Sequence, residues 1–94
     1  MTPDGRASAP RHQIVLARQA VRSLALLQRQ DQQRIRAALD LLAENPRPPR
    51  CLSLKGEEGV YRIRVGDFRI LYEVFDQALV VQMIRIGHRR EVVR

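Results

Sequence analysis

The chain has 94 residues, the size of one small domain, and this leaves no room for a second independently folding unit. Hydrophobic residues make up 45% of it, but no apolar run approaches the roughly 18 residues that a membrane-spanning helix needs. Its 17 Lys and Arg residues against 10 Asp and Glu residues give a net charge of +7, which favours a polyanionic partner.

The N-terminal residues 1–11 contain prolines, a glycine and small polar residues without periodicity. This composition predicts a flexible tail, followed by a single folded domain over residues 12–94. We expect His12, beside the tail, to be solvent-exposed. The short run Gln13–Leu16 is apolar and β-branched, which predicts a first strand.

Helical spacing of apolar residues begins after this strand, at Ala17. Asp31 is a candidate N-cap for a second helix, and Asn45-Pro46 is expected to end that helix. The two predicted helices are joined by a short link and therefore form a hairpin. The proline-rich segment Pro46–Arg50 predicts an extended connector.

Three strand-like runs follow the connector: Val60–Val65, Phe68–Phe75 and Leu79–Ile86. Gly66-Asp67 separates the first two and suits a two-residue type II′ turn, because glycine is at its first position. The predicted fold class is α+β, with a two-helix hairpin packed on a small, largely antiparallel four-stranded sheet.

The turn at Gly66-Asp67 would fix the register of the hairpin and so divide its side chains between two faces. One face is apolar, whereas the other carries Arg62, Arg64 and Arg69 with Leu71 and Glu73 beside them. Arg64 would lie directly opposite Arg69, a like-charge pair that destabilises a sheet. An anion bound over the arginines would explain the arrangement, although a solvated face partly neutralised by Glu73 or Glu91 is the simpler alternative.

The segment Ile86–Glu91 adds His88, Arg89 and Arg90 immediately after the last predicted strand. Histidine titrates near neutral pH, which suits proton transfer, but a lone histidine is more often inert.

Few residues of the chain are suited to metal or disulfide chemistry. The single cysteine, Cys51, excludes an internal disulfide, and the two histidines form no metal-ligand pattern with it. We therefore expect no metal and no cofactor. The N-terminal residues include no apolar stretch typical of a secretion signal, so we expect a cytoplasmic protein without membrane contact.

Three motifs together resemble the RelE/ParE toxin superfamily, and more narrowly its RelE branch. They are Leu54-Lys55-Gly56, the run Tyr61–Val74 and the run Ile86–Val92, within a likeness that covers residues 12–94. The resemblance implies a microbial-RNase-like α+β fold and the toxin of a type II toxin–antitoxin pair. It implies ribosome-dependent cleavage of mRNA, in which a ribose 2′-hydroxyl attacks the adjacent phosphodiester without a metal and leaves a 2′,3′-cyclic phosphate.

The resemblance also implies roles for individual residues. Arg62, Arg64, Arg69 and Arg89 match its basic catalytic positions, and His88 joins the predicted catalytic set for its titration near neutral pH. The further cations expected to bind RNA phosphates are Lys55, Arg85 and Arg90. The sequence departs from the family at two places. Some members have lysines where this chain has Arg62 and Arg64, and arginine cannot act as a base. His88, which we expect to lie near these arginines, or an acidic neighbour such as Glu91 is therefore the better candidate for proton transfer. Val93 stands where the family commonly has a tyrosine.

The implied partners are an acidic antitoxin that wraps the toxin, the ribosome and mRNA. A toxin–antitoxin hetero-oligomer that binds operator DNA is a further expectation. Two alternatives remain open: a ParE-like inhibitor of DNA gyrase without nuclease activity, and a nucleic-acid-binding module that holds phosphates without chemistry.

Overall fold

The computed structural model describes residues 11–88, which form two helices and five strands. In chain order these are β1 (Gln13–Leu16), α1 (Arg18–Ala25), α2 (Arg29–Glu44), β2 (Leu52–Ser53), β3 (Val60–Val65), β4 (Phe68–Phe75) and β5 (Val80–His88). Residues 1–10 of the predicted tail lie outside the described residues. Within residues 11–88 neither helix is long and apolar enough to cross a membrane.

The strands form one mixed sheet in the order β1-β5-β4-β3-β2. β1 is parallel to β5, and every other neighbouring pair is antiparallel. The α+β class is confirmed, but the sheet has five strands where four were expected. The additional strand, β2, pairs only Leu52 with Arg62 and Ser53 with Tyr61, and two residues are too few to show strand alternation in a sequence.

The helix hairpin is confirmed, with one correction at the start of α2. Asp31 is not the N-cap: α2 begins at Arg29 after Gln28, whose backbone is extended, and Asp31 lies in the first turn. A carboxylate there still interacts favourably with the N-terminal end of the helix dipole. The helix ends at Glu44, because Asn45 is extended before Pro46.

Both helices contact the same face of the sheet, which we call the helix-covered face. Buried residues of this core come from both layers: Ala20, Ile35, Leu39, Leu42, Ile70, Tyr72, Val74, Val81, Met83 and Ile86. The Tyr72 hydroxyl donates a buried hydrogen bond of 2.7 Å to the carbonyl oxygen of Pro46. Burial raises the pKa of this hydroxyl, so it remains a donor and holds the connector against the core.

The β3–β4 hairpin has the register predicted from the sequence. Val65 lies opposite Phe68 and Arg64 opposite Arg69. Gly66 has a φ of +61°, and Asp67 is not among the described residues with positive φ, which matches a type II′ turn. The turn chemistry therefore fixes which face each side chain of the hairpin occupies.

The pairing of β5 with β4 contains an irregularity that the sequence pattern of β5 does not predict. The strand begins at Val80, because Leu79 adopts a φ of +55° in the preceding turn, and it extends to His88. Its register with β4 shifts between Leu71, which lies opposite Arg85, and Tyr72, which lies opposite Met83. Ile84 is thus the extra residue of a β-bulge, and alternation reverses beyond it.

A polar cluster joins the connector to the β4–β5 turn. Arg47 donates two hydrogen bonds to Asp76, of 3.2 and 2.7 Å, and a third of 2.8 Å to the Tyr61 hydroxyl. His12 Nε2 lies 3.4 Å from Asp76 Oδ1, with its side chain 10% exposed. The expectation that His12 is solvent-exposed is wrong, because β1 packs beside the C-terminal end of α2, where the His12 amide donates to the Ala43 carbonyl.

Candidate nucleic-acid interface

The sheet face opposite the helices, which we call the open face, carries the arginines predicted from the sequence. Cross-strand pairing places Arg62 opposite Leu71, and Arg64 opposite Arg69. Arg62 and Arg64 are exposed, and Arg69 is half-buried. Within residues 11–88 no salt bridge to a carboxylate forms at any of them, so their charge is available to an external anion.

The bulge in β5 adds a fourth arginine to this face. Because Ile84 is the extra residue, Arg85 lies opposite Leu71 on the open face, whereas regular alternation from Met83 would turn it toward the core. Leu71 therefore lies between Arg62 on one neighbouring strand and Arg85 on the other. We call Arg62, Arg64, Arg69 and Arg85 the arginine cluster. The burial of both Met83 and Ile86, three residues apart, agrees with an extra residue between them.

Gly87 leaves open space beside the arginine cluster. It lies opposite Arg69 on β5, on the side away from Arg64. Its φ is not positive, and a Cβ built on it would meet no atom within 4 Å. Neither backbone conformation nor packing requires glycine here, so its effect is to leave Arg69 accessible from the β5 side.

His88 is not brought together with the arginine cluster. It lies opposite Phe68 on the helix-covered face, where the two rings meet edge to face with centroids 5.1 Å apart. There it lines a cavity of about 510 Å³ near the start of α2, together with Asp31. The expectation that His88 lies beside the arginines is wrong, because the bulge reverses alternation before this position.

The remaining predicted cations lie elsewhere or outside the described residues. Lys55 is exposed in the turn between β2 and β3, at the end of the sheet away from the Gly66 turn. Arg89 and Arg90 lie outside the described residues. In the described part of the chain, no group of three His, Cys, Asp or Glu side chains is placed to hold a metal ion.

A second basic surface, which the predicted elements do not reveal, lies between α2 and β3. It is a groove of about 360 Å³ with an apolar floor that includes Ile63 and Pro48. Arg34, Arg50 and Arg64 line it, and Leu41 contributes a side chain that is 67% exposed. We call it the α2–β3 groove. The sequence feature that indicates this groove is Leu41, an apolar residue of α2 beside the buried residues Leu39 and Leu42.

Comparison with known proteins identifies the family. The model of the ParE toxin of type II toxin–antitoxin systems matches residues 14–93. The chain belongs to this toxin family. A curated RelE-like toxin protein of Escherichia coli is 28% identical over 81 residues, which is 84% of each chain. The fold and these relatives together place the toxin in the RelE-like branch of the RelE/ParE superfamily.

Solved structures of RelE proteins share the fold of this toxin. The archaeal RelE–RelB complex from Pyrococcus horikoshii OT3 superimposes with a TM-score of 0.75 at 25% identity, over 83% of this chain and 94% of that one. The intact Escherichia coli RelBE toxin–antitoxin complex gives 0.74 at 23% identity, over 82% and 95% of the two chains. The toxin therefore has a RelE-like fold.

Proposed function

We propose that this toxin is an endoribonuclease that cleaves mRNA on the ribosome and thereby stops translation in the cytoplasm. The observation that carries the proposal is the arginine cluster: four guanidinium groups on three adjacent strands of one sheet face, without a carboxylate partner in the described residues. Guanidinium binds phosphate oxygens through two parallel hydrogen bonds, and strands hold it more rigidly than loops.

The reaction that suits this face is attack of a ribose 2′-hydroxyl on the adjacent phosphorus. A bond from the 2′-oxygen to phosphorus forms as the bond to the 5′-oxygen breaks, which yields a 2′,3′-cyclic phosphate and a 5′-hydroxyl. Negative charge accumulates on the phosphoryl oxygens in the transition state, and preorganised cations stabilise it there more than in the ground state. Arg62 and Arg85, which flank Leu71, and the facing pair Arg64 and Arg69 are the guanidinium groups available to bind those oxygens.

The decisive experiment is mapping of RNA ends after incubation of purified toxin with programmed ribosomes. Cleaved mRNA with 5′-hydroxyl ends supports the proposal, and its loss in Arg64→Ala but not in Arg18→Ala assigns the activity to the open face. Arg18 is an exposed arginine at the start of α1 and serves as the matched control.

DNA gyrase inhibition is the second candidate function, and the match to the ParE toxin model favours it. A supercoiling assay with purified gyrase separates the two. Inhibition of gyrase together with intact mRNA would establish this candidate and refute the ribonuclease. RNA bound but not cleaved, with gyrase active, would indicate a binding module.

We also infer a cognate acidic antitoxin that binds in the α2–β3 groove. The solved relatives of this fold include RelE–RelB complexes, which supports a partner of the same kind here. An apolar floor rimmed by Arg34, Arg50 and Arg64 fits an amphipathic segment with acidic flanks. Because Arg64 also belongs to the arginine cluster, a segment in this groove would reach the edge of the proposed active face.

A further inference from the structure

Attack by a ribose 2′-hydroxyl releases a proton, and the arginine cluster cannot take it. Arginine stays protonated in proteins, so Arg62, Arg64, Arg69 and Arg85 can stabilise charge but cannot serve as bases. His88 lies on the helix-covered face. The reaction proposed above therefore needs another proton acceptor on the open face.

Glu73 is the carboxylate that β1–β5 present on the open face. It follows Leu71 on β4 by two residues and lies opposite Val60 on β3 and Gln82 on β5. The other described strand residues on this face are arginines, apolar residues, glutamines and Gly87. β4 has a paired neighbour on both sides over Phe68–Glu73, so Glu73 lies at the end of the doubly paired part of this central strand.

The Glu73 carboxylate is not used to stabilise the fold. It is half-buried, and within residues 11–88 it makes no hydrogen bond or salt bridge. Its direct cross-strand neighbours, Val60 and Gln82, carry no charge. Arg62 is its diagonal neighbour on β3, a position within reach of long side chains. A phosphate held between Arg62 and Arg85, which flank Leu71, would lie beside the Glu73 carboxylate.

We propose that Glu73 is the catalytic residue that accepts the proton of the attacking 2′-hydroxyl, a role that rests on the ribonuclease function proposed above. As the 2′-oxygen bonds to phosphorus, its proton passes to the Glu73 carboxylate, and the 5′-oxygen that departs takes a proton from solvent. Arg62, the diagonal neighbour of Glu73 on β3, is placed to bind the phosphate.

Single-turnover cleavage of ribosome-bound mRNA tests this role. Glu73→Gln keeps the size and polarity of the side chain, and we expect it to slow cleavage by roughly 10²-fold or more while affinity for programmed ribosomes changes little. Glu58→Gln, an exposed carboxylate in the loop before β3, is the matched control and should cleave at the wild-type rate. His88→Gln and Glu91→Gln compare the other acceptors that the sequence indicates.

Chemical rescue distinguishes proton transfer from a structural role. Glu73→Ala removes the carboxylate and leaves space, so added formate should restore part of its cleavage rate in proportion to formate concentration. Formate should not restore Arg85→Ala, which lacks a cation. A wild-type rate in Glu73→Gln, a faster rate in that variant, or absence of formate rescue would overturn the role of Glu73 alone. Intact mRNA with wild-type toxin would overturn both this role and the proposed function.

Discussion

Arg64 and Arg69 place two positive charges directly opposite each other on adjacent strands, without a neutralising carboxylate in the described residues. A like-charge pair of this kind costs a fraction of a kcal/mol to about 1 kcal/mol, so folding stability alone does not favour it. Arg69→Ala should therefore leave the melting temperature unchanged or slightly higher while it abolishes toxicity. Thermal melts and growth assays check this, with Arg18→Ala as the control. A melting temperature lowered by several degrees would show that Arg69 is structural.

Gly87 allows a complementary test of phosphate access to Arg69, in which a side chain is added at this position and none is removed. A Cβ at this position meets no neighbouring atom within 4 Å, and valine is favoured in strands. Gly87→Val should fold as well as the wild type but obstruct the approach of phosphate to Arg69. We expect cleavage to fall by roughly 10²-fold, the effect of a misplacement of about 1 Å. Gly87→Ala, which adds less bulk, should lose less. Equal cleavage by Gly87→Val and wild type would mean that phosphate does not approach from this side.

At the scale of elements, the β-bulge decides which side chains of β5 belong to the site. Deletion of Ile84 would place Arg85 directly after Met83, so that Arg85 stays opposite Leu71 on the open face and Ile86 stays on the helix-covered face. The deletion should therefore remove the bulge without burying a charge, and it should cost less than the roughly 3 kcal/mol expected for an unpaired buried charge. Ile84→Ala keeps the extra residue and tests the half-buried side chain alone. Denaturant titrations of both variants measure this, and a loss of about 3 kcal/mol or more on deletion would show that the extra residue is itself required for β5 to pair with β4.

The cluster that joins the connector to the β4–β5 turn predicts a dependence of stability on pH. The hydrogen bond from Arg47 holds the pKa of Asp76 below its ordinary value of 3.8. Because the folded pKa is the lower one, Asp76 contributes stability that is fully present above the unfolded value and is lost as pH falls through the folded value. Urea titrations from pH 7 to below pH 4 should show a smaller acid-induced loss in Asp76→Asn than in the wild type. Asp40→Asn, on the exposed side of α2, should keep the wild-type slope.

How far the sequence predicts these elements depends on local chemistry. The β3–β4 register follows from Gly66-Asp67, because glycine at the first position of a two-residue turn allows one hairpin geometry. The bulge at Ile84 has no such marker, since an apolar residue suits both a regular strand and a bulge. The prediction that His12 is solvent-exposed is wrong for a related reason. Its burial depends on the packing of β1 beside α2, which is a tertiary contact that neighbouring residues do not encode.

Viewed as a whole molecule, the toxin has a net charge of +7, and most arginines within residues 11–88 form no salt bridge with a carboxylate there. Of the arginines in residues 11–88, Arg11 and Arg47 form salt bridges with carboxylates, to Glu44 and Asp76. Among the remaining cations, Arg62, Arg64, Arg69 and Arg85 lie on the open face, and Arg34 and Arg50 line the α2–β3 groove. The proposed RNA-binding face and the proposed antitoxin-binding groove thus share one electrostatic field, which would speed the association of polyanions with either.

The shared field predicts how an acidic antitoxin segment binds. Affinity should fall as salt rises, because exposed charges separated by more than about 8 Å are screened at physiological ionic strength. Leu41 supplies exposed apolar surface within the groove, so Leu41→Glu both removes that contact and repels acidic residues. We expect it to weaken antitoxin binding at least tenfold, equivalent to about 1.4 kcal/mol, in calorimetric titrations. Val21→Glu, the same kind of apolar-to-acidic change at an exposed residue of α1, should leave affinity unaltered. Weakening by Val21→Glu but not by Leu41→Glu would place the antitoxin on α1. An affinity that stays constant between low and high salt would instead show that apolar burial, and not the arginines, holds the complex together.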